Sequence, residues 1–264
     1  MKTMMKTLLM TLLLGFTWSI AARAEIVTMP VDYSIDGETY EGVLVFDAAS
    51  SSLRPGVMMV PNWMGPSEQS VEKAARVAGD RYVVFMIDMY GRHIRPTNTD
   101  EAAAAAGAVR SDRKLMRKRV NAALETFRGL ATQAPVDVTR MAAIGFCFGG
   151  GTVLELARSG AELDGVVSFH GNLDTPDPGD AANITAKVLV LHGADDPLVP
   201  DEHVHDFVRE MRDGNVDWQL IHYGGAVHSF TDPYAAMPGT AEYHPVVAQR
   251  AFSAMAQFFD ELFQ

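Results

Sequence analysis

Met141-Ala142-Ala143-Ile144-Gly145-Phe146-Cys147-Phe148-Gly149-Gly150-Gly151 is the stretch on which the reading of this chain turns. Its first half is apolar, as for a buried strand. After the glycines, Thr152-Val153-Leu154-Glu155-Leu156-Ala157-Arg158 reads as a helix that stops at Gly160. The chain's only cysteine therefore falls on a strand-to-helix corner, inside Gly-x-Cys-x-Gly. That is the nucleophile-elbow pattern with sulfur where serine usually stands. Such a corner strains the nucleophile's backbone and presses neighbouring chain close on both sides, so Cβ atoms at Gly145 and Gly149 are expected to collide. Gly150 and Gly151 weaken the first helical turn by about 1 kcal/mol each relative to alanine, which close helix–sheet packing would offset. The helix N-terminus directs its free N–H groups at the sulfur and favours thiolate. The competing reading is an inert buried cysteine ahead of a phosphate loop. No Gly-Lys-Ser/Thr follows, and Gly-x-Gly-x-x-Gly is absent here.

Working outward, short apolar runs alternate with helical patterns. Ile26 to Ile35 and Tyr40 to Phe46 read as strands joined by an Asp36-Gly37 hairpin turn. Val57 to Val60 and Tyr82 to Ile87 read as strands buried on both faces, with a helix starting near Ser67 between them. Asp100 to Leu130 reads as helix, in two pieces meeting near Gly107 to Ser111, with Met116, Val120, Ala123, Leu124 and Phe127 at helical spacing. Its cluster Arg113, Lys114, Arg117, Lys118 and Arg119 reads as a solvated face. Beyond the corner come strands Gly165–Gly171, Lys187–Gly193 and Trp218–Tyr223. Helices Pro200–Arg212 and Pro245–Phe263 complete the pattern. The expectation is a mostly parallel central sheet with helices on both faces, as one domain over residues 25–264.

The chain has 264 residues, 48% of them hydrophobic, enough for a sizeable core. Residues 1–24 are read apart. Met1 to Lys6 is a basic start, Leu8 to Ile20 an apolar run of secretory length, and Ala22-Arg23-Ala24 a small-x-small cleavage site. An exported, periplasmic protein starting at Glu25 is expected, with an uncleaved N-terminal anchor as the alternative. The formal net charge of −11 argues against nucleic acid or an anionic membrane as partner. A lone cysteine forms no internal disulfide; in an exported protein it is hidden or reactive.

An elbow nucleophile needs a histidine base and an acid to orient it, in the order nucleophile, acid, histidine, each in a loop after a strand. His192-Gly193-Ala194-Asp195-Asp196-Pro197-Leu198-Val199-Pro200 offers two carboxylates. Gly224-Gly225-Ala226-Val227-His228-Ser229-Phe230 offers a histidine. His170 and His192 end strands and could line the site's edge. His203 and His205 lie two apart on a helix and make a poor metal pair. No metal or cofactor is expected.

With the Gly-Phe-Cys-Phe-Gly-Gly corner, the Gly-Ala-Asp-Asp-Pro-Leu-Val-Pro loop and the His-Ser-Phe motif in order, the chain resembles the dienelactone hydrolase family of α/β-hydrolases. The resemblance implies Cys147 as nucleophile, His228 as base and Asp196 as the acid, with Asp195 the fallback. It implies oxyanion donors at the backbone N–H groups of Phe148 and Trp63, with Met64 the alternative to Trp63. Arg92 matches a family arginine that anchors a substrate carboxylate, and Asn62 and Tyr90 are expected beside the substrate with it. Asn62 stands where the family's best-known members carry a glutamate that helps control the cysteine's protonation, so His228 is expected to take the proton directly. A second family arginine is missing after His-Ser-Phe, where the chain reads Thr231-Asp232, which argues against dienelactone itself.

Sulfur is a good leaving group, so simple amides and alkyl esters would revert, whereas activated esters, enol lactones and thioesters would go forward. The expected activity is hydrolysis of a small-molecule activated ester or lactone by a monomer. The alternative is a non-catalytic binding protein on the same fold. A thiol redox protein lacks a resolving cysteine, and a peptidase is disfavoured by the leaving-group argument.

Overall fold

The computed structural model describes residues 25–264, and the expected leader lies outside the described residues. Strands β1 (Ile26–Ile35) and β2 (Glu38–Asp47) form the expected hairpin. Its turn residues Asp36 and Gly37 have φ of 54° and 86°, the left-handed values that a two-residue hairpin loop requires. Then follow β3 (Arg54–Val60), α1 (Glu68–Ala78), β4 (Val83–Met86), α2 (Thr99–Arg110), α3 (Arg113–Gly129), β5 (Val136–Phe146) and α4 (Phe148–Arg158). The chain continues through β6 (Gly165–Phe169), β7 (Lys187–Gly193), α5 (Asp201–Asp213), β8 (Trp218–Tyr223) and α6 (Pro245–Leu262). The helix expected over residues 100–130 breaks at Ser111, because Asp112 caps the next helix by accepting the N–H of Leu115 at 2.9 Å. A minimal ladder, β9 (Ala236–Met237) with β10 (Ala241–Glu242), is not readable as alternation because each strand is two residues long.

The main sheet has eight strands in the order β1-β2-β4-β3-β5-β6-β7-β8. From β4 to β8 every neighbouring pair is parallel; the β1–β2 hairpin adds antiparallel to β4. The central parallel strands β3, β4, β6 and β7 are buried on both faces, which is why they read as continuous apolar runs. One core cluster joins the sheet to α3, α4 and α5 through Phe127, Leu154 and Phe207. The other joins it to α1 and α6 through Ala74, Val77, Phe258 and Phe259. This is the mostly parallel sheet between helical layers that the alternation predicts, and the α/β-hydrolase architecture that the resemblance implies. The loops after β3, β4, β5, β6, β7 and β8 all leave from the carboxyl edge of the sheet, where ligands bind in open α/β sheets.

The basic cluster of α3 departs from the solvated face expected for it. Arg113 pairs with Asp174 at 2.8 Å, and Arg117 with Glu155 at 2.8 Å and Asp180 at 2.7 Å. Lys118 pairs with Asp36, and Arg119 donates to the Met89 carbonyl at 2.8 Å. Acidic partners arrive from elements far away in sequence, so the helix's own periodicity carries no trace of them.

Candidate active site

Cys147 is where β5 ends and α4 begins, with φ 56° and ψ −117°, a conformation that a non-glycine residue adopts only under tertiary constraint. The constraint is visible in the glycines around it. A Cβ on Gly145 would lie 1.9 Å from the Gly149 carbonyl oxygen, and one on Gly149 would lie 2.2 Å from the Val60 carbonyl oxygen. Gly150 lets α4 approach the loop after β6, for its Cβ would meet Gly171 Cα at 2.7 Å. The Cys147 N–H is shared between the Phe169 carbonyl at 3.0 Å and His170 Nδ1 at 3.2 Å. Nδ1 accepts, so the proton of His170 is on Nε2, which donates to Thr231 Oγ1 at 2.7 Å. His170 thus ties the corner to the loop that carries His228. Burial, with the His228 charge next in size, holds its pKa well below the ordinary histidine range and keeps it neutral.

The loop after β8 carries His228, whose backbone is clamped to Thr240 and Glu242 by hydrogen bonds of 3.2 and 3.0 Å. Its Nδ1 lies 2.7 Å from Asp196 Oδ2. The other Asp196 oxygen accepts the Leu198 N–H at 2.8 Å, so the carboxylate is held at both ends. Asp195 turns outward and accepts the Gly225 N–H at 2.8 Å. Of the two adjacent acids, the one facing the histidine is Asp196. His228 Nε2 is buried and has no hydrogen-bond partner among the described residues, and the ring lies close enough to Cys147 for the charge of each to act on the other.

Charge couples the two groups. Burial pushes the Cys147 thiol up. The charge of His228, with the N–H groups of Phe148 and Trp63, outweighs it and brings the thiol below its ordinary value. Burial likewise pushes His228 down, but the Cys147 sulfur and the Asp196 carboxylate raise it to about 10. The arrangement favours an imidazolium–thiolate pair over two neutral groups.

The N–H groups of Phe148 and Trp63, which favour the thiolate, are the pair that the resemblance implies around an oxyanion. The N–H of Met64, the alternative donor, is occupied by Asn62 Oδ1 at 3.0 Å. Trp63 is fixed from behind: Tyr90 Oη donates to its carbonyl at 2.9 Å, and the Tyr90 ring packs on Phe148 with centroids 5.7 Å apart. Asp88 in turn holds the Tyr90 loop by accepting the Tyr90 and Gly91 N–H groups at 2.8 and 3.1 Å.

A cavity of about 330 Å³ opens over Cys147 and His228, walled by Trp63, Phe148, Leu198 and Ala106, with Arg110 and Asn172 as polar groups. The three expected substrate contacts do not line it. Arg92 is held by Glu41 at 2.8 Å and by Asp32, both on the hairpin. Asn62 faces away from the cavity, its Nδ2 donating to Asp232 at 3.2 Å. Tyr90 is buried with its hydroxyl committed to Trp63. Neither His170 nor His192 reaches the wall. Leu198 lies in the acid-loop motif, whereas no motif in the sequence marks Arg110 or Asn172, because only the tertiary fold brings α2 and the loop after β6 to the corner.

The sequence profile of the dienelactone hydrolase family matches residues 41–263. Among solved structures, m3DLH superposes with a TM-score of 0.84 at 39% identity, over 90% of this chain and 99% of its own. A dienelactone hydrolase-like promiscuous phosphotriesterase from metagenomic libraries superposes with a TM-score of 0.83, also at 39% identity, over 90% of this chain and 99% of its own. The probable 2-oxo-3-(5-oxofuran-2-ylidene)propanoate lactonase of Bradyrhizobium sp is 27% identical over 84% of this chain and 90% of its own length. The family match runs from within β2 to the end of α6 and takes in the corner and both downstream loops, and the chain belongs to the dienelactone hydrolase family, as a hydrolase of ester or lactone bonds.

Proposed function

We propose that the protein cleaves an activated ester, enol lactone or thioester through a Cys147–His228–Asp196 triad and a thioacyl-enzyme. The observation that carries this reading is Asp196 Oδ2 at 2.7 Å from His228 Nδ1, with His228 and Cys147 together on the wall of one cavity. The Cys147 thiolate adds to the substrate carbonyl carbon. The negative charge that develops on the carbonyl oxygen is met by the N–H groups of Phe148 and Trp63. When the tetrahedral intermediate collapses, its bond to the leaving oxygen or sulfur breaks and His228 gives that atom a proton. Water, deprotonated by His228, then attacks the thioacyl carbon, and the acid leaves as Cys147 regains its starting state. Asp196 stays ionised and holds the imidazole in place. Asn62 takes no part in the proton's path, consistent with its commitment to Met64 and Asp232. The leader of residues 1–24 further suggests export to the periplasm, and the acidic chain is proposed to work there as a monomer.

The test is p-nitrophenyl acetate with a panel of lactones and one aryl phosphotriester, offered to wild type and Cys147→Ala. The phosphotriester is included because a 39% identical relative carries that activity in its name. Expected are a burst of nitrophenol and an acetyl group on Cys147 by mass spectrometry, both absent in the variant. Hydrolysis undiminished in Cys147→Ala would exclude the sulfur as nucleophile. N-terminal sequencing of protein recovered from the periplasm checks the export proposal, with Glu25 the expected first residue.

A further inference from the structure

On the opposite side of the sheet from α4, a groove of about 460 Å³ runs between α1 and α6. Its floor is apolar, with Val77, Tyr82, Phe252 and Met255, and its rim is cationic, with Lys73, Arg76 and Arg81. No carboxylate is among its lining side chains. That is unexpected in a chain whose acids outnumber its bases by 33 to 22. Arg81 is paired with Asp260 and leans on Tyr82. Among the described residues Lys73 and Arg76 have no carboxylate within ion-pair distance. They stand one helical turn apart, so both reach the same end of the groove. Burial of Lys73, partly offset by Asp232, brings its amine below the ordinary lysine range. Lys73 is half-buried, and a half-buried ammonium without an ion-pair partner carries an electrostatic cost that a bound anion lowers.

We infer that this groove is a second binding site, separate from the Cys147 cavity, for a small apolar carboxylate. Its charged end sits between Lys73 and Arg76, and its hydrocarbon body lies on Phe252 and Met255. Charge complementarity selects the occupant's sign, and the apolar floor selects its body. The volume falls in the ordinary range for small-molecule sites. The groove also has a physical link to the nucleophile. Lys73 Nζ lies 4.4 Å from the centre of the Phe146 ring, and Phe252 packs on that same ring at 6.2 Å. Phe146 is the residue directly before Cys147. An occupant that neutralises Lys73 therefore changes the field one residue from the sulfur, and lowered thiol reactivity is the expected consequence.

Octanoate is the probe, titrated calorimetrically into wild-type protein whose Cys147 has been blocked with iodoacetamide, so that the hydrolytic cavity is closed to it. Saturable one-site binding is expected. Octylammonium, with the same chain and opposite charge, should not bind. Lys73→Gln combined with Arg76→Gln should weaken octanoate by about tenfold or more, the worth of one or two charge-assisted hydrogen bonds. Ala256→Trp, which fills the groove without touching either cation, should abolish binding and leave ester hydrolysis unchanged. In unblocked protein, octanoate should slow iodoacetamide labelling of Cys147 in wild type but not in Ala256→Trp. Equal binding of octylammonium, unchanged affinity in both groove variants, or no binding to the blocked protein would each overturn the assignment. None of these outcomes bears on whether Cys147 is the nucleophile.

Discussion

At the scale of single residues, Cys147 is a half-buried thiol whose surroundings bring it below its ordinary value. Burial alone opposes that, and the thiolate is favoured because the Cys147 sulfur and the Asp196 carboxylate raise His228 to about 10. The sign of the pH dependence follows. As pH falls, the pair gains a proton on sulfur at a value below the ordinary thiol range; as pH rises past about 10, His228 loses its proton and the thiolate remains. Iodoacetamide labelling of wild type should therefore stay fast below the free-cysteine value of about 8.5. His228→Ala removes the charge that favours the thiolate. Its labelling profile should shift to higher pH, with a fall of about tenfold or more in rate at pH 7. Superimposable profiles would mean that the helix N-terminus alone ionises the sulfur. His170 supplies a second case. Its ring joins the Cys147 N–H to Thr231, two contacts that phenylalanine of similar size cannot make. Both His170→Phe and Thr231→Val loosen the corner relative to the histidine loop. Each should lower kcat about tenfold while leaving KM within about twofold, as expected when a group acts on alignment rather than on substrate binding.

At the scale of elements, one substitution type has opposite effects in two helices. Gly149 sits in the first turn of α4, where an added Cβ would press on the carbonyl oxygens of Val60 and Pro61 at 2.2 and 2.5 Å. Those are backbone atoms of β3 and the loop that carries Trp63, so relief requires the helix to move off the sheet. Gly149→Ala should cost about 3 kcal/mol or more in urea unfolding, the upper range for overpacked sites. Gly129, the last residue of α3, has φ −67°, and a Cβ added there would meet no atom within 4 Å. Gly129→Ala should instead stabilise by roughly 0.5–1 kcal/mol, through the lost freedom of the unfolded chain. A Gly149→Ala protein as stable as Gly129→Ala would show that the corner is not tightly closed. The α4 glycines were legible in the sequence because a nucleophile corner demands close backbone approach, a local requirement with a local signature. Asp196 and His228 were legible for the same reason, each lying in a motif next to a strand end. The role of Arg92 was not, since what an arginine pairs with depends on which element the fold lays beside it, and here that is the β1–β2 hairpin with Glu41 and Asp32.

At the scale of the whole molecule, the alternation of strands and helices was enough to read the sheet and both helical layers, because burial on two faces leaves its mark on the central strands β3, β4, β6 and β7. What binds the helical layer beside α4 together left no such mark. Arg158 is fully buried in α4, with Nε and Nη2 each 2.7 Å from an oxygen of Glu210 in α5, and Nη1 2.9 Å from Glu155. Its Nη2 also donates to the Leu173 carbonyl, and Glu155 accepts from Arg117 of α3 at 2.8 Å. Three helices and the loop after β6 therefore meet on one charged cluster. In sequence these residues look like ordinary polar positions on amphipathic helices, and only their burial together distinguishes them. Burying such ions is expensive, so the cluster's net worth is modest while its completeness holds. Removing one member is different, because it strands a charge without water. Glu210→Ala should cost about 3–5 kcal/mol, measured as a drop in the urea midpoint at unchanged slope. Asp260→Ala, which deletes the partner of the exposed Arg81, should change stability by no more than about 1 kcal/mol. Glu210→Met tests the argument further. It still leaves Arg158 short of a carboxylate, so matching the lost volume should not rescue the protein. Recovery of wild-type stability in Glu210→Met would mean that Glu210 serves by packing and that Arg158 is solvated well enough without it.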